Sequence, residues 1–146
     1  MDKVFDNSAA ITSDNAAAET SNPSYQAYQI LHFGFTVAPI IMGVDKFLYL
    51  LVDWDKYIAP TASNILGGHD HAFMMFVGVV EIIAGLGVFF KPKIFAYVVA
   101  IWLLLIILNL LMIPGYFDVA LRDLGLLLGA LALGRLSSIY DHPAEA

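Results

Sequence analysis

AFMMFVGVVEIIAGLGVFF, residues 72–90, is an apolar run with one charged residue, Glu81, at its middle. Its length is about what an α-helix needs to cross the hydrocarbon core of a bilayer. A carboxylate at that depth is costly to expose to lipid, so Glu81 is expected to face protein or water. Gly78 and Gly85 fall on the same helical face as Glu81, where small residues let another backbone approach. The run therefore predicts a membrane-spanning helix whose packed inner face carries an acid.

The composition extends this interpretation to the whole chain. Of its 146 residues 60% are hydrophobic and 14% are charged, whereas soluble domains are about one quarter charged. The lack of cysteine excludes disulfides, thiol redox chemistry and Cys-ligated zinc or iron–sulfur clusters. The net charge of −6 argues against binding nucleic acid. We expect one polytopic membrane domain with no cofactor of its own, although a quinone or a lipid could bind.

Turn residues divide the chain into four apolar segments. The predicted order is a polar, flexible N-terminal tail at 1–24, helices at about 25–52, 71–90, 94–113 and 116–136, an interfacial connector at 53–70 and a polar C-terminal tail at 137–146. Pro39 should kink the first helix, and Trp54 and Tyr57 suit the headgroup level. Short turns place sequential helices side by side, so the predicted fold is all-α, a four-transmembrane-helix antiparallel bundle.

Lysine and arginine positions predict the orientation. One side of the four predicted spans holds Lys3, Lys91, Lys93 and Arg135, and the short connector on the other side holds Lys56. Because positive residues favour the cytoplasmic side, both termini are expected in the cytoplasm.

Polar residues inside the predicted spans fall at similar depth. At a rise of about 1.5 Å per residue, Glu81 lies roughly 14 Å and Arg122 roughly 9 Å below the outer helix ends, a difference that a long cationic side chain can cover. The expected outer-leaflet cluster contains Asp45, Lys46, Glu81, Asn109, Arg122 and Asp123. Two interpretations stay open: a structural network that specifies helix pairing, or a functional pocket.

Two shorter motifs have a structural and a functional interpretation each. Gly125 and Gly129 form a GxxxG pattern, for which packing inside the bundle is favoured over dimerisation. His69 and His71 flank Asp70 and could bind a transition metal, but side chains two residues apart on a helix diverge. Helix capping by Asp70 is favoured over a metal site.

Three segments resemble the DoxX-like family of small bacterial inner-membrane proteins: GVDKFLYLLVDWDKYIAP (residues 43–60), VGVVEIIAGL (77–86) and DVALRDLGLLLGALALGRL (118–136). The resemblance covers about residues 34–136 and implies the four-helix architecture and a place beside membrane redox systems, because relatives include small subunits of thiosulfate:quinone oxidoreductases. The family-like polar positions are Asp45, Lys46, Glu81, Arg122 and Asp123.

Three functions follow as hypotheses. The first is a non-catalytic accessory subunit of a respiratory or other electron-transfer assembly, with membrane lipid, other membrane subunits or further copies as partners. The second is a redox protein that binds a quinone or small solute in an outer pocket, where Glu81 would exchange a proton. The third is a transporter or proton-conducting element, for which no internal repeat is evident.

Overall fold

The computed structural model describes residues 18 and 20–141. Over these residues the chain is helical and forms no strand, which confirms the all-α class. The elements are α1 (Pro23–Leu48), a 3-10 turn (Trp54–Tyr57), α2 (Pro60–Leu66), α3 (Asp70–Phe90), α4 (Pro92–Leu111) and α5 (Phe117–Tyr140). Most of the predicted N-terminal tail lies outside the described residues.

The start of α1 follows from its capping residues. The Asn22 side chain accepts a hydrogen bond from the Ser24 backbone N–H at 2.9 Å, and Pro23 occupies the first turn, where its missing N–H costs nothing. Prolines also begin α2 and α4, at Pro60 and Pro92. Proline at these positions fixes the residue at which each of the three helices begins.

The first helix ends earlier than predicted, at Leu48 and not near residue 52. Tyr49 adopts a left-handed conformation with φ of 52°. The Asp45 carboxylate then accepts the N–H groups of Leu50 and Leu51, each at 3.1 Å from Oδ1. The Asp45 side chain thus replaces the backbone carbonyl groups that would accept these N–H groups if the helix continued. The helix therefore ends there.

The last helix is longer than predicted. It runs to Tyr140, so residues 137–140 of the expected polar C-terminal tail are helical. Ser137 is fully buried, and its hydroxyl donates to the Leu133 carbonyl oxygen at 2.7 Å. A serine that returns its hydrogen bond to the preceding turn can remain inside a helix, which is why polar composition misplaced this boundary.

Each of the four long helices packs against two others. The most extensive contacts join α1 to α3 and α4 to α5, and smaller contacts join α1 to α5 and α3 to α4. Beneath the connector, a buried cluster ties the connector to α4 and α5: Ala59, Ile107, Leu110, Ile113 and Ala120. A larger cluster, formed by all four long helices, contains Tyr28, Ala84, Val88, Ala96, Val99, Ala100, Ala130 and Leu133.

Three of the described helices, α1, α3 and α4, are long and apolar enough to cross a membrane. Their outward surfaces carry many large apolar side chains, which lipid solvates well. These three helices therefore indicate a membrane protein. The fourth long helix, α5, carries Asp118, Arg122, Asp123 and Arg135 and does not meet the same criterion.

Candidate functional site: a buried ion pair beneath the connector

A buried ion pair joins α1 to α3. The Lys46 ammonium donates to the Glu81 carboxylate, with Nζ and Oε2 separated by 2.6 Å. Lys46 is 3% and Glu81 8% exposed. A pair of opposite charges at this distance neutralises both groups where neither could remain charged alone.

Glycine contacts bring the two helices close enough for this pair. A Cβ on Gly43 would lie 2.6 Å from the Gly78 carbonyl oxygen, and a Cβ on Gly78 would lie 2.7 Å from the Gly43 oxygen. About two helical turns further along α3, a Cβ on Gly85 would lie 2.7 Å from the Thr36 carbonyl oxygen. The helices touch backbone to backbone, so the long Lys46 side chain reaches Glu81 directly.

The connector covers the cationic end of the ion pair. The Lys46 ammonium lies 3.7 Å from the centroid of a Trp54 ring, a cation–π contact. The Trp54 indole N–H donates to Asp45 Oδ2 at 2.7 Å. Asp45 therefore orients the indole that covers its neighbour Lys46, and it also receives the backbone N–H groups that end α1.

Asn109 holds the far end of the connector. Its side-chain Nδ2 donates to the Tyr57 carbonyl oxygen at 2.6 Å, and its Oδ1 accepts the Ala59 N–H at 3.0 Å. Ala59 is fully buried, so without the Asn109 amide its N–H would be left unsatisfied. Asn109 thus replaces the backbone partners that an irregular segment lacks.

The six polar residues that the sequence grouped together occupy four places. Lys46 and Glu81 form the ion pair, whereas Asp45 and Asn109 hold the connector. Asp123 is half-buried, and its charge acts on Glu81. Arg122 is exposed and makes no ion pair within the described residues.

The two glycines of the GxxxG pattern also face different surroundings. A Cβ on Gly129 would meet the Phe35 ring of α1 at 3.1 Å, so this glycine packs inside the protein. Gly125 is exposed, and a Cβ there would meet no atom within 4 Å. Among the residues that the structure describes, only Gly129 of this pair therefore contributes to packing.

The histidines and Asp70 near the start of α3 make separate contacts. Asp70 does not cap the helix: His69 occupies the N-cap without a side-chain bond, and the Asp70 carboxylate accepts the Ser63 hydroxyl at 2.6 Å. His69 Nδ1 lies 3.0 Å from the Leu66 carbonyl oxygen, and His71 Nδ1 lies 3.6 Å from the Asp55 carboxylate. Residues 18 and 20–141 contain no group of three or more His, Asp or Glu side chains placed to hold a metal ion.

Tyr49 and Asp55 form a contact that the sequence did not predict. The Tyr49 hydroxyl donates to Asp55 Oδ1 at 2.7 Å, and the Tyr49 ring packs on His71 with centroids 4.9 Å apart. Burial, followed by this bond to the Asp55 carboxylate, raises the pKa of Tyr49 above its ordinary value. Asp55 therefore links the connector to the end of α1 and the start of α3.

An apolar groove lies between α3 and α4. Its volume is about 170 Å³, and its walls are Val80, Ala84, Val98, Ile101, Trp102 and Leu105. The Trp102 indole nitrogen is buried and has no hydrogen-bond partner among the described residues. The Trp102 indole N–H lies beside the Glu81 carboxylate but outside hydrogen-bonding geometry, so this groove is next to the ion pair.

The fold and the site define a helical membrane protein with a buried ion pair beneath an interfacial connector. Comparison of the chain with models of protein families, with curated proteins and with solved structures finds no match. The resemblance to the DoxX-like family therefore continues to depend on the three short segments quoted above.

Proposed function

We propose that this protein is a non-catalytic accessory subunit of a membrane redox, respiratory or other electron-transfer assembly. The proposal includes four spanning helices, with α5 as the fourth, in a bacterial inner membrane with both termini in the cytoplasm. The place beside redox enzymes comes from the resemblance to the DoxX-like family. The contacts of the intramembrane polar groups support the non-catalytic role.

One observation carries the structural role: Lys46, Glu81, Asp45 and Asn109 are already bonded to one another or to the connector. The Lys46 ammonium lies 2.6 Å from the Glu81 carboxylate. The Asp45 carboxylate accepts a hydrogen bond from the Trp54 indole N–H. The Asn109 amide accepts one hydrogen bond from the connector backbone and donates another to it. A general acid or base must reach the proton it moves. Here the Lys46–Glu81 pair joins α1 to α3, and the Glu81 carboxylate is already bonded to the Lys46 ammonium.

The ion pair can be removed without leaving a lone charge, which separates a structural from a catalytic role. Cells lacking the gene would receive either the native chain or the double variant Lys46→Met with Glu81→Gln. If the pair is structural, the double variant supports quinone-linked respiration at the native level wherever its abundance is native. A folded, abundant double variant that fails to support respiration would contradict the proposal.

The partner assembly is tested by extraction in a mild detergent followed by native mass measurement. We expect the chain to be recovered with subunits of a redox enzyme. Recovery of the chain alone, or of copies of the chain alone, would contradict the accessory role. The same extraction of the double variant shows whether the ion pair is needed for the fold that the partner recognises.

A second function, quinone binding, is favoured by the groove beside Glu81. Its apolar walls suit an isoprenoid chain, and the Trp102 indole N–H, which lies beside Glu81 without forming a hydrogen bond of standard geometry, could donate to a quinone carbonyl. The chain has two tryptophans, so the Trp54→Phe and Trp102→Phe variants separate their fluorescence. Quenching by a short-chain ubiquinone that persists in Trp54→Phe and disappears in Trp102→Phe would support this function. Equal quenching of both variants would argue against it.

A further inference from the structure

The exposed face of α5 differs from the exposed faces of the other long helices. The outward face of α4 consists of large apolar side chains such as Ile101, Leu104 and Leu108, which suit lipid. The outward face of α5 also exposes leucines, but it adds Asp118 and Arg122, one turn apart, followed by the open surface at Gly125. Charges on a lipid-facing surface are costly unless they are paired or reach the interface.

The two charges have no partner of their own in the described chain. Arg122 and Asp118 are both exposed, and neither takes part in an ion pair there. Asp123 feels the Arg122 charge, but it is half-buried and its charge also acts on Glu81 inside the protein. The face of α5 therefore presents one acid and one base that are free to meet opposite charges from outside.

The shape of this face suits a second helix. Small residues at a seven-residue spacing, Gly125 and Ala132, are both exposed, and Leu121 and Leu128 are exposed beside them. A seven-residue repeat is the spacing at which two helices stay in contact along their length. Because a Cβ on Gly125 would meet no atom within 4 Å, none of the other described residues fills this surface.

We propose that this face of α5 docks against the same face of a second copy of the chain. In a parallel pair related by a two-fold axis, Arg122 of each copy meets Asp118 of the other. A two-fold interface presents the same patch twice, so it needs a patch that is complementary to itself. An acid and a base one turn apart meet that requirement, whereas a partner helix with a single acid would leave Asp118 unmatched.

This inference rests on the proposed placement of α5 in the membrane, and it does not depend on the redox partner. Two copies that associate through α5 are detected by cross-linking in the native membrane whether or not an enzyme is recovered. The outcome for the dimer is thus distinguishable from the outcome for the accessory role.

Cysteine cross-linking tests the contact directly, because the chain has no cysteine of its own. Gly125→Cys should give a disulfide-linked dimer after mild oxidation of native membranes. Gly34→Cys on α1 is the matched control, because Gly34 is also exposed and a Cβ there also meets no atom within 4 Å. Cross-linking at 125 but not at 34 supports the dimer. The absence of cross-linking at 125, or equal cross-linking at both positions, overturns it.

Charge exchange tests the pairing. In the Gly125→Cys background, Arg122→Asp should lower the dimer yield by roughly tenfold or more, because it places like charges opposite each other. Adding Asp118→Arg restores opposite charges and should restore the yield. If the first variant does not fold, Arg122→Gln replaces it with a smaller expected loss. The pairing would be overturned if Arg122→Asp left the dimer yield unchanged. It would also be overturned if the charge-exchange variant folded but did not regain the dimer yield.

Discussion

Lys46 and Glu81 form their 2.6 Å ion pair where the backbones of α1 and α3 are in contact through Gly43 and Gly78. The glycines and the charges are therefore parts of one interface. The glycine contact sets the distance between the helices, and that distance lets a single lysine satisfy the acid. The connector then covers the lysine through Trp54.

Removing one member of the ion pair should destabilise the protein much more than removing both. Lys46→Met leaves the buried Glu81 without its counter-charge. Glu81→Gln likewise leaves the buried Lys46 ammonium without an anionic partner. We expect each single variant to lose about 3–5 kcal/mol of unfolding free energy and the double variant to recover most of it. Thermal or denaturant unfolding in detergent micelles measures this as a double-mutant cycle. Additive losses would show that the two charges do not depend on each other.

A methyl group at the glycine contact should separate α1 from α3. Gly78→Ala places a Cβ only 2.7 Å from the Gly43 carbonyl oxygen, which is closer than van der Waals contact allows. We expect a loss of about 1–3 kcal/mol in unfolding free energy, as in other overpacked interiors. The control is Gly34→Ala, where a Cβ meets no atom within 4 Å and the helix gains propensity. Unfolding in micelles compares the two, and equal stability of both variants would contradict the close contact.

The sequence predicted the inner face of α3 because helical spacing relates Gly78, Glu81 and Gly85 directly. It also named Lys46 among the bases able to reach Glu81. It could not separate Lys46 from Arg122, because counting residues gives the depth of a side chain but not the rotation of its helix. On α5 that rotation turns Asp123 inward and leaves Arg122 exposed.

The helix ends could be predicted only where local residues determine them. Pro92, at the start of α4, follows a one-residue turn at Lys91, close to the predicted boundary. The end of α1 was missed because it depends on the Asp45 side chain, which bonds the backbone of the connector and the Trp54 indole. Hydrogen bonds between a side chain and a distant, irregular segment leave no periodic pattern in the sequence.

Tyr49 should titrate later than an ordinary tyrosine. Its folded pKa is raised above the unfolded value of 10.0 by burial and by the bond to Asp55. A raised pKa stabilises the folded protein below the unfolded pKa, and this contribution is lost as the pH rises through the folded pKa. Ultraviolet absorbance of tyrosinate measures the titration, with Tyr49→Phe identifying the signal. If the late-titrating absorbance of Tyr49→Phe equals that of the native chain, the Tyr49 hydroxyl does not contribute to it.

Releasing Asn109 should loosen the connector while α1 and α3 stay paired. Asn109→Ala removes the acceptor of the Ala59 N–H and the donor to the Tyr57 carbonyl oxygen. A buried N–H without a partner costs about 1–3 kcal/mol, so we expect a stability loss of that size. Hydrogen exchange should accelerate at Ala59, because opening of the connector then requires less free energy. Asn64→Ala on the exposed side of α2 is the matched control, since its side chain makes no hydrogen bond within the described residues. If exchange at Ala59 is equally slow in both variants, the connector is held by its apolar contacts with α4 and α5 and not by the Asn109 amide.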